Sequence, residues 1–468
     1  MNRRIASIDI LRGIAIIGMI LSANIGFNSD LPAWMFHAQT PPPTYAFNPD
    51  IPGITWVDLV FPFFLFAMGA AFPFALKKRF DEGCGWKFIG TRLEQRWITL
   101  TLFALLLGNA YSIWQTTQSA TEVHIFLITI WAGLFLTLLR VKPQENATFF
   151  RRHLGKIVNL SGLSVLAACA FIYEGWFGLE LNIWASDIII MILAVTAISG
   201  GLIWALTRNN LRLRWLTVLF VVMIKALSSY LPQSLDFIPD CTRIGWFFNY
   251  SFLQYLVIAL IGSIVGDMIL KAGNAGKEVE NGQPTERMEI HAGFIAFSAV
   301  LLQLWGLYSR HIVADFCISA AMAGGFLALT WKDKGISSAI GKTGFVLLLV
   351  GILFDPIDGG ITKDHCNLAY LLTTSGMAAL LTCFLLMLET RFNVKGRFIA
   401  GVGQNPMIAY TITTFIIGPV LNLTGILPAI GNLAAGSPFW GITQGIFITL
   451  LMMGGTYAFT RLKLFWRS

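Results

Sequence analysis

Long apolar runs recur along almost the whole chain, and they constrain its fold more than any other feature. We find fourteen runs of the length that a membrane-spanning helix needs, about 18–22 residues. They cover residues 8–27, 54–76, 97–117, 122–139, 157–175, 183–206, 214–231, 248–270, 291–309, 313–331, 340–355, 366–388, 398–420 and 439–460. With 56% hydrophobic and 12% charged residues, the chain has too little polar surface for a soluble fold of 468 residues. The sequence predicts an all-α polytopic integral membrane protein with about fourteen transmembrane helices.

The basic residues predict how these spans are oriented, because cytoplasmic loops are enriched in Lys and Arg. If the first span starts in the cytoplasm, alternate segments hold all but five of the 33 Lys and Arg residues. The exceptions are Arg12, Lys225, Arg243, Arg310 and Lys363. A missed or additional span would scramble this alternation, so we expect both termini to be cytoplasmic.

Several function classes are excluded by what the sequence lacks. The net charge of +8 is spread over short loops without a basic face, so no nucleic-acid partner is predicted. No phosphate-binding loop, HExxH zinc pair or GxSxG elbow occurs. The six cysteines have no Cys-x-x-Cys spacing and indicate packing residues, and no metal is predicted. These cysteines are Cys84, Cys169, Cys241, Cys317, Cys366 and Cys383.

The segment between the first two spans concentrates residues that can do chemistry. Residues 28–53 contain six prolines, one histidine and no Lys or Arg, so the loop is expected to be stiff. The histidine is His37, and Asn24 and Asp58 lie on the helices that flank the loop. Because a helix rises 1.5 Å per residue, Asn24 and Asp58 are both expected near the outer membrane interface. The three side chains are therefore predicted to meet there.

Such a group could catalyse proton or acyl transfer. A neutral imidazole at His37 could act as a general base or carry an acyl group, and the Asn24 amide could stabilise an oxyanion. Simpler roles stay open: His37 as an ordinary interfacial residue, Asp58 as a helix cap, and Asn24 as a partner of a neighbouring helix. At the other interface, Asp9 and Arg12 are expected to form an ion pair.

Three stretches carry a resemblance to a known family. The segments "SIDILRGIAIIGMILSANIG", "FHAQ" and "GITWVDLVFPFFLFAMGAAF" resemble the heparan-α-glucosaminide N-acetyltransferase family of transmembrane acyltransferases, especially its bacterial members of unassigned function. The resemblance is strongest over residues 5–115. It returns in "FNYSFLQYLVIALIGSIVGDMI" and within residues 340–468, at "DGGITKDHCNLAYLLTTSG", "GQNPMIAY" and "YAFTRLKLFW".

The resemblance implies a function and a set of site residues. It implies one acyltransferase domain over residues 1–468 in the bacterial inner membrane, with residues 28–53 as an extracytoplasmic active-site loop. An acetyl group would pass from cytosolic acetyl-CoA to an amino sugar or glycan on the far side. His37 would be catalytic, supported by Asn24 and Asp58. The expected coenzyme contacts are Arg12, Arg92, Arg96 and Asn405. The expected partners are acetyl-CoA, the glycan acceptor and the lipid bilayer. A homodimer is the candidate assembly.

The chain also departs from the family. The segment between His37 and Asp58 is longer and rich in proline, and the family's Gln-Arg motif is absent from the fourth span. Two span pairs, 157–206 and 291–331, have no counterpart. A rival hypothesis is a transporter or flippase for a sugar or lipid-linked sugar, which predicts that Lys225, Gln254 and Asp267 matter more than His37. A non-catalytic scaffold fits poorly with so rigid a loop.

Overall fold

The structure is a computed structural model that describes residues 5–26, 31–116, 121–139, 149–231, 250–274, 286–333 and 335–466. Within these residues the regular secondary structure is helical, apart from one isolated antiparallel bridge between Leu139 and Trp466. The prediction of an all-α fold is confirmed. The first residues of the proline-rich loop, Cys241 and Arg243 lie outside the described residues.

Nineteen α-helices follow one another in the described chain. They are α1 (Ala6–Asn24), α2 (Trp56–Ala70), α3 (Phe72–Asp81), α4 (Trp86–Thr116), α5 (Thr121–Leu138), α6 (Phe149–Gly175), α7 (Ile188–Thr207), α8 (Leu211–Tyr230), α9 (Tyr250–Leu253), α10 (Leu256–Asn274), α11 (Glu286–Gly306), α12 (Ile312–Thr330), α13 (Ile336–Phe354), α14 (Leu368–Arg391), α15 (Arg397–Gly403), α16 (Pro406–Ile412), α17 (Gly418–Leu423), α18 (Ile426–Gly436) and α19 (Pro438–Arg461).

Thirteen helical segments among the described residues are long and apolar enough to cross a membrane. They are Ala6–Asn24, Trp56–Asp81, Trp86–Ile113, Thr121–Leu138, His153–Gly175, Ile188–Thr207, Ser251–Lys271, Arg287–Gly306, Ile312–Thr330, Ile336–Phe354, Leu368–Arg391, Pro406–Leu423 and Pro438–Arg461. Each overlaps one of the predicted runs. The chain is therefore a polytopic membrane protein. The remaining run, 214–231, forms α8, which is 20 residues long but less apolar because it contains two arginines and a lysine.

The chain divides into two compact units. The first consists of Met1–Met19, Ser29–Glu94 and Val195–Ala400. The second consists of Ile20–Asn28, Gln95–Ala194 and Gly401–Ser468. Each unit thus combines segments that are far apart in sequence. The single domain over residues 1–468 stays a prediction.

Helix α14 is the centre of the first unit. It is buried along nearly its whole length and packs against α2, α8, α10, α11 and α13. Three of its hydroxyl side chains bond within the helix: Thr374, Ser375 and Thr382 each donate a hydrogen bond to the carbonyl four residues earlier. The Tyr370 hydroxyl instead donates to the Asp58 carbonyl of α2 over 2.8 Å. Hydrogen bonds to the preceding turn satisfy hydroxyl groups that are surrounded by apolar side chains of neighbouring helices.

Helices α2 and α10 approach closely enough for their backbones to touch. A Cβ atom built on Gly69 would lie 1.9 Å from the Ala259 carbonyl oxygen. On α10, a Cβ on Gly262 or Gly266 would lie 2.2 or 2.3 Å from a carbonyl oxygen of α2. Gly262 and Gly266 are four residues apart and share one helix face, as in the small-residue motifs that bring membrane helices together. This packing holds the helix that begins beside Asp58.

Helix α8 contacts both ends of the first unit. Near its start, the buried Arg214 pairs with Asp267 of α10 and its Nε donates to Thr207 Oγ1 over 3.0 Å. Arg214 lies in the first turn of α8, at the start of the predicted run 214–231. At the far end, the hydroxyl of Tyr230 donates to Asp358 Oδ1 over 2.5 Å. Polar contacts at both ends indicate that α8 runs the full length of this unit.

The end of the first unit that lies away from His37 is fastened by ionic contacts. The backbone N–H of Ala6 donates to Glu389 Oε1 over 3.2 Å. Close by in sequence, Arg391 Nε donates to Glu289 Oε2 over 2.5 Å. The expected ion pair on α1 is also present, with Arg12 3.6 Å from Asp9. The starts of α1 and α11 thus lie beside the end of α14.

The second unit is also helical and carries its own buried polar contacts. Asn109 of α4 donates to the Asn182 carbonyl over 3.0 Å and accepts from the Asn182 N–H over 2.9 Å. Tyr410 of α16 donates to Asp187 Oδ2 over 2.8 Å. Between α16 and α17, residues Thr413–Ile417 form a short π-helical turn. An apolar cavity of about 370 Å³ lies between α4, α5 and α6.

Candidate active site

The N-terminus of α2 fixes the position of Asp58. Thr55 caps the helix, and its Oγ1 accepts from the Val57 N–H over 3.2 Å. In return, Asp58 Oδ2 accepts from the Thr55 N–H over 2.9 Å. This reciprocal capping box satisfies backbone donors that a helix start otherwise leaves unpaired. Asp58 therefore has one carboxylate oxygen committed to the backbone and the other available.

The available oxygen of Asp58 holds His37. The distance between His37 Nδ1 and Asp58 Oδ1 is 2.6 Å. The Asp58 side chain is fully buried, whereas that of His37 is 38% exposed. Because a carboxylate can only accept here, the hydrogen-bond pattern assigns the proton to Nδ1 and leaves the lone pair on Nε2. The structure thus brings together two of the three residues predicted to meet.

The loop that carries His37 is tied down along its length. The Thr55 hydroxyl donates to the Phe36 carbonyl over 2.7 Å, directly before the histidine. Gln39 is fully buried, and its amide donates to the carbonyls of Ile51 and Gly53 over 2.9 and 3.3 Å. These bonds close the loop on itself. The expected stiffness comes from this network in addition to the prolines.

Lys363 lies against His37 and was not identified as a site residue from the sequence. Its Nζ is 3.2 Å from His37 Nδ1, 3.5 Å from Nε2 and 4.0 Å from Asp58 Oδ1. The sequence did contain a signal, because Lys363 is one of very few cations outside the predicted cytoplasmic segments. Since 326 positions separate Lys363 from His37, the chain pattern alone could not pair them.

The loop that presents Lys363, residues 355–367, is held by its own ion pair. Arg310 contacts both carboxylate oxygens of Asp355, over 2.7 and 2.8 Å. Asp355 Oδ2 also accepts from the Ile361 N–H over 2.8 Å. The Ile361 carbonyl in turn accepts from the Gly53 N–H over 2.8 Å. The two loops of the site are therefore connected by a backbone hydrogen bond two residues before Lys363.

A second His–Asp pair lies on the exposed side of the same loops. His365 Nε2 is 2.8 Å from Asp50 Oδ1, and both side chains are largely exposed. Lys225 of α8 donates to the His365 carbonyl over 3.1 Å. Because both side chains are in contact with water, this pair contributes little stability. Burial distinguishes it from the His37–Asp58 pair.

Two further histidines have different surroundings. His124 is buried within α5 of the second unit. His311 immediately precedes α12, with its ring 5.4 Å from that of Trp305. Among the described residues, no group of three or more His, Cys, Asp or Glu could hold a metal ion. The five described cysteines carry free thiols.

The remaining predicted site residues are distributed over both units. Asn24 belongs to the second unit, and its amide donates to the Ile20 carbonyl over 2.7 Å within its own helix. Stabilisation of an oxyanion by the Asn24 amide stays a prediction. Arg12, in the first unit, pairs with Asp9 and donates to the Ala67 carbonyl over 3.2 Å.

The three other predicted coenzyme contacts differ in how accessible they are. Arg92 is exposed, with its guanidinium 5.3 Å from the Phe88 ring centre. Arg96 is half-buried on α4 in the second unit. Asn405 is buried, and its amide donates to the Leu464 carbonyl over 2.7 Å, which gives it a structural task beside the C-terminal segment. Coenzyme binding by these residues stays a prediction.

Comparison with known proteins gives a family but no activity. Residues 4–269 match the family described as "Domain of unknown function (DUF5009)", which is more than half of the chain. The match includes His37 and Asp58 and ends before Lys363. A comparison with curated proteins finds no match. The chain belongs to the DUF5009 family.

Proposed function

We propose that this protein is a membrane acyltransferase that moves an acetyl group from cytosolic acetyl-CoA to an amino sugar or glycan across the membrane. The observation that supports it most is the 2.6 Å contact between the accessible His37 and the buried Asp58. A histidine oriented by a buried acid is the arrangement that general bases and activated nucleophiles use. The resemblance to the acetyltransferase family supports the choice of acetyl group and acceptor.

Nε2 of His37 is the reactive atom in this proposal. In one route, the acceptor amine attacks the thioester carbonyl, Nε2 takes the amine proton, and the carbon–sulfur bond breaks to release the coenzyme thiolate. In the other route, Nε2 itself attacks the thioester and the thiolate leaves. The amine then takes the acetyl group as the bond between Nε2 and the acetyl carbon breaks, and the freed Nε2 accepts the amine proton. Both routes need a lone pair on Nε2, and the hydrogen bond from Nδ1 to Asp58 provides it.

Asp58 supports either route without touching the substrate. Its fixed carboxylate holds the imidazole in one tautomer and one orientation, because the capping box fixes the carboxylate in turn. It also stabilises the positive charge that His37 acquires when Nε2 binds a proton or an acetyl group. Asp58 is thus a positioning residue in this mechanism.

The acetyl donor would enter from the cytoplasmic side of a bacterial inner membrane. The coenzyme is strongly anionic, and the cations Arg12, Arg92 and Arg96 are predicted to attract its phosphates, with Asn405 as a further contact. The acceptor would approach the exposed face of His37 from the opposite side.

The proposal includes a topology of fourteen spans with both termini in the cytoplasm. The thirteen apolar segments alone would put the termini on opposite sides of the membrane. Helix α8 supplies the additional crossing, supported by its contacts with Asp267 near its start and Asp358 at its end. Arg214 pairs with Asp267, which lowers the cost of placing this arginine in a membrane.

The test is acetyl transfer by purified protein in lipid nanodiscs, with acetyl-CoA and glucosamine as substrates. We expect His37→Ala to lower turnover by on the order of 10²–10⁴, the usual contribution of a positioned base. His291→Ala is the matched control, because His291 is an exposed histidine far along the chain on α11 and should leave turnover unchanged. Near-normal turnover in His37→Ala would contradict the proposal.

A further inference from the structure

The ammonium group of Lys363 occupies a particular position on the His37 ring. Its distances to the two ring nitrogens, 3.2 and 3.5 Å, are nearly equal. In the plane of the ring, a position equidistant from both nitrogens at this range would overlap the carbon between them. The ammonium therefore lies over the face of the imidazole, so the Nε2 lone pair, which points outward in the ring plane, is not covered.

Lys363 is not simply the counter-ion of Asp58. The 4.0 Å between Nζ and Asp58 Oδ1 is too long for a hydrogen bond, and Oδ1 is already bonded to His37. Among the described residues, the contacts of Nζ are with this oxygen and the imidazole ring. The side chain is only 27% exposed. No oxygen acceptor of the described residues lies within hydrogen-bonding distance of this partly buried ammonium, so its remaining protons are available to an anion that enters the site.

We propose that Lys363 is a catalytic residue whose ammonium group stabilises the negative charge on the acetyl carbonyl oxygen during transfer. This inference rests on the proposed acyl transfer. When a nucleophile adds to the carbonyl carbon, the carbon–oxygen π bond breaks and its electron pair moves onto the oxygen. When the tetrahedral intermediate collapses, that pair re-forms the double bond and the leaving group departs with its own pair. Lys363 donates a hydrogen bond throughout and keeps its protons.

The geometry places Lys363 where this oxygen develops. A carbonyl carbon that reacts at Nε2 lies in or near the ring plane, and its oxygen is one bond further. An oxygen on the side facing Lys363 comes within hydrogen-bonding reach of an ammonium 3.5 Å from Nε2. The predictions from sequence gave this task to Asn24; Lys363 is the group that lies beside the reactive nitrogen.

The position of the ammonium is set by its loop. The Lys363 carbonyl accepts from the Cys366 N–H over 3.0 Å, forming a turn directly after the lysine. Asn367 then caps α14 by accepting from the Tyr370 N–H over 3.0 Å. A donor held by a turn and a capped helix needs little reorganisation when charge develops, which is the property that makes an oxyanion site effective.

The inference is tested with Lys363→Met, which keeps the length of the side chain and removes its charge. We expect kcat for acetyl transfer from acetyl-CoA to glucosamine to fall by on the order of 10²–10³, with KM for acetyl-CoA unchanged. Lys363→Arg keeps a cation and should recover a large part of kcat. Lys395→Met is the matched control, because Lys395 is an exposed lysine after α14 and should leave both constants unchanged.

Thermal unfolding of each variant separates catalysis from folding. A structural lysine would lower the unfolding midpoint in Lys363→Met and would change KM together with kcat. If His37→Ala is inactive and Lys363→Met keeps its kcat, or if Lys363→Arg is no better than Lys363→Met, the inference is wrong and the acyltransferase proposal stands. If the unmodified protein transfers no acetyl group, the proposed function fails and this inference fails with it.

Discussion

Asp58 performs two tasks that the sequence presented as alternatives. Oδ2 closes the capping box at Thr55, and Oδ1 orients His37. A carboxylate has two oxygens with lone pairs to spare, so capping a helix does not prevent it from holding an imidazole. The fold of α2 and the chemistry of His37 therefore depend on the same side chain.

Replacing this carboxylate by an amide should damage both tasks. In Asp58→Asn, one of the two oxygens becomes an NH₂ group, which faces a backbone N–H or the Nδ1–H of His37. We expect a loss of about 1–3 kcal/mol in the free energy of unfolding, the cost of an unsatisfied buried donor. Acetyl transfer should fall by at least an order of magnitude. Chemical denaturation and turnover measure the two effects.

The exposed pair of His365 and Asp50 provides a control for the Asp58 substitution. Asp50→Asn removes the partner of His365 at a position open to water, so both stability and turnover should stay close to normal. Equal effects of the two substitutions would mean that burial does not distinguish the pairs, and the site assignment at Asp58 would have to be abandoned.

The sequence predicted the contact between His37 and Asp58 but not the contact between His37 and Lys363. His37 and Asp58 are 21 residues apart around one loop, so their meeting could be predicted from the flanking spans. Lys363 is brought there by α13 and α14, which pack together within the first unit. No local pattern encodes that packing.

Among the elements, the helix pair α2 and α10 depends on glycine. Gly262→Leu or Gly266→Leu would push a side chain into the backbone of α2, since even a Cβ would lie within 2.3 Å of a carbonyl oxygen. We expect a loss of stability of about 1–3 kcal/mol or more. Turnover should fall as well, because α2 begins at the site. The unfolding midpoint in detergent measures the first effect.

A glycine elsewhere in the first unit is the control for this prediction. Gly90 lies in α4 with open space around the position of a Cβ, so Gly90→Ala should leave stability unchanged or raise it by about 0.5–1 kcal/mol. Tolerance of leucine at both Gly262 and Gly266 would show that the two helices do not pack as closely as described.

Most helices could be predicted from apolar runs, and the differences have physical causes. The predicted run at 398–420 begins as a span only at Pro406, because Asn405 and Pro406 interrupt the helix and restart it. Proline lacks an N–H and fits the first turn of a helix, so it marks a beginning better than an interior position. Helix α8 was found as an apolar run although it contains Arg214. The charge of this arginine is balanced by the buried Asp267.

For the whole molecule, the number of crossings decides the topology. If α8 spans the membrane, a cysteine in place of Asn209 should react with an impermeant thiol reagent from the cytoplasm, and one in place of Leu231 only from outside. Both positions are exposed at opposite ends of α8. The native Cys84 should label from the cytoplasm, and Ala46→Cys from outside. Labelling of residues 209 and 231 from one side would exclude the fourteen-span topology.

The donor should be recognised by the complete folded protein. A donor that binds the native state and not the unfolded chain raises the unfolding midpoint with increasing concentration, and we expect this of acetyl-CoA; at 100 times Kd the gain is about 2.7 kcal/mol. Arg92→Gln should weaken the effect, whereas Lys395→Gln should not. A protein indifferent to millimolar acetyl-CoA and CoA would favour the transporter hypothesis.

The division into two units could not be predicted from the sequence. Each unit combines three segments that are separated along the chain, and hydropathy is the same for a helix that faces lipid and one that faces protein. Asp267, which the rival hypothesis assigns to a transport path, pairs with Arg214 inside the first unit. Only the packing reveals that these two charges satisfy each other.

The central position of α14 has a consequence for how the protein is made. The ribosome delivers α2, α8 and α10 to the membrane long before α14, although α14 packs against all three. Until residue 391 has been translated, α2, α8 and α10 lack their common neighbour, and until residue 363 has been translated His37 lacks Lys363. The first unit can therefore complete its packing only when α14 inserts between the earlier helices. Nascent chains of this protein are expected to depend on the insertion machinery to keep that place open.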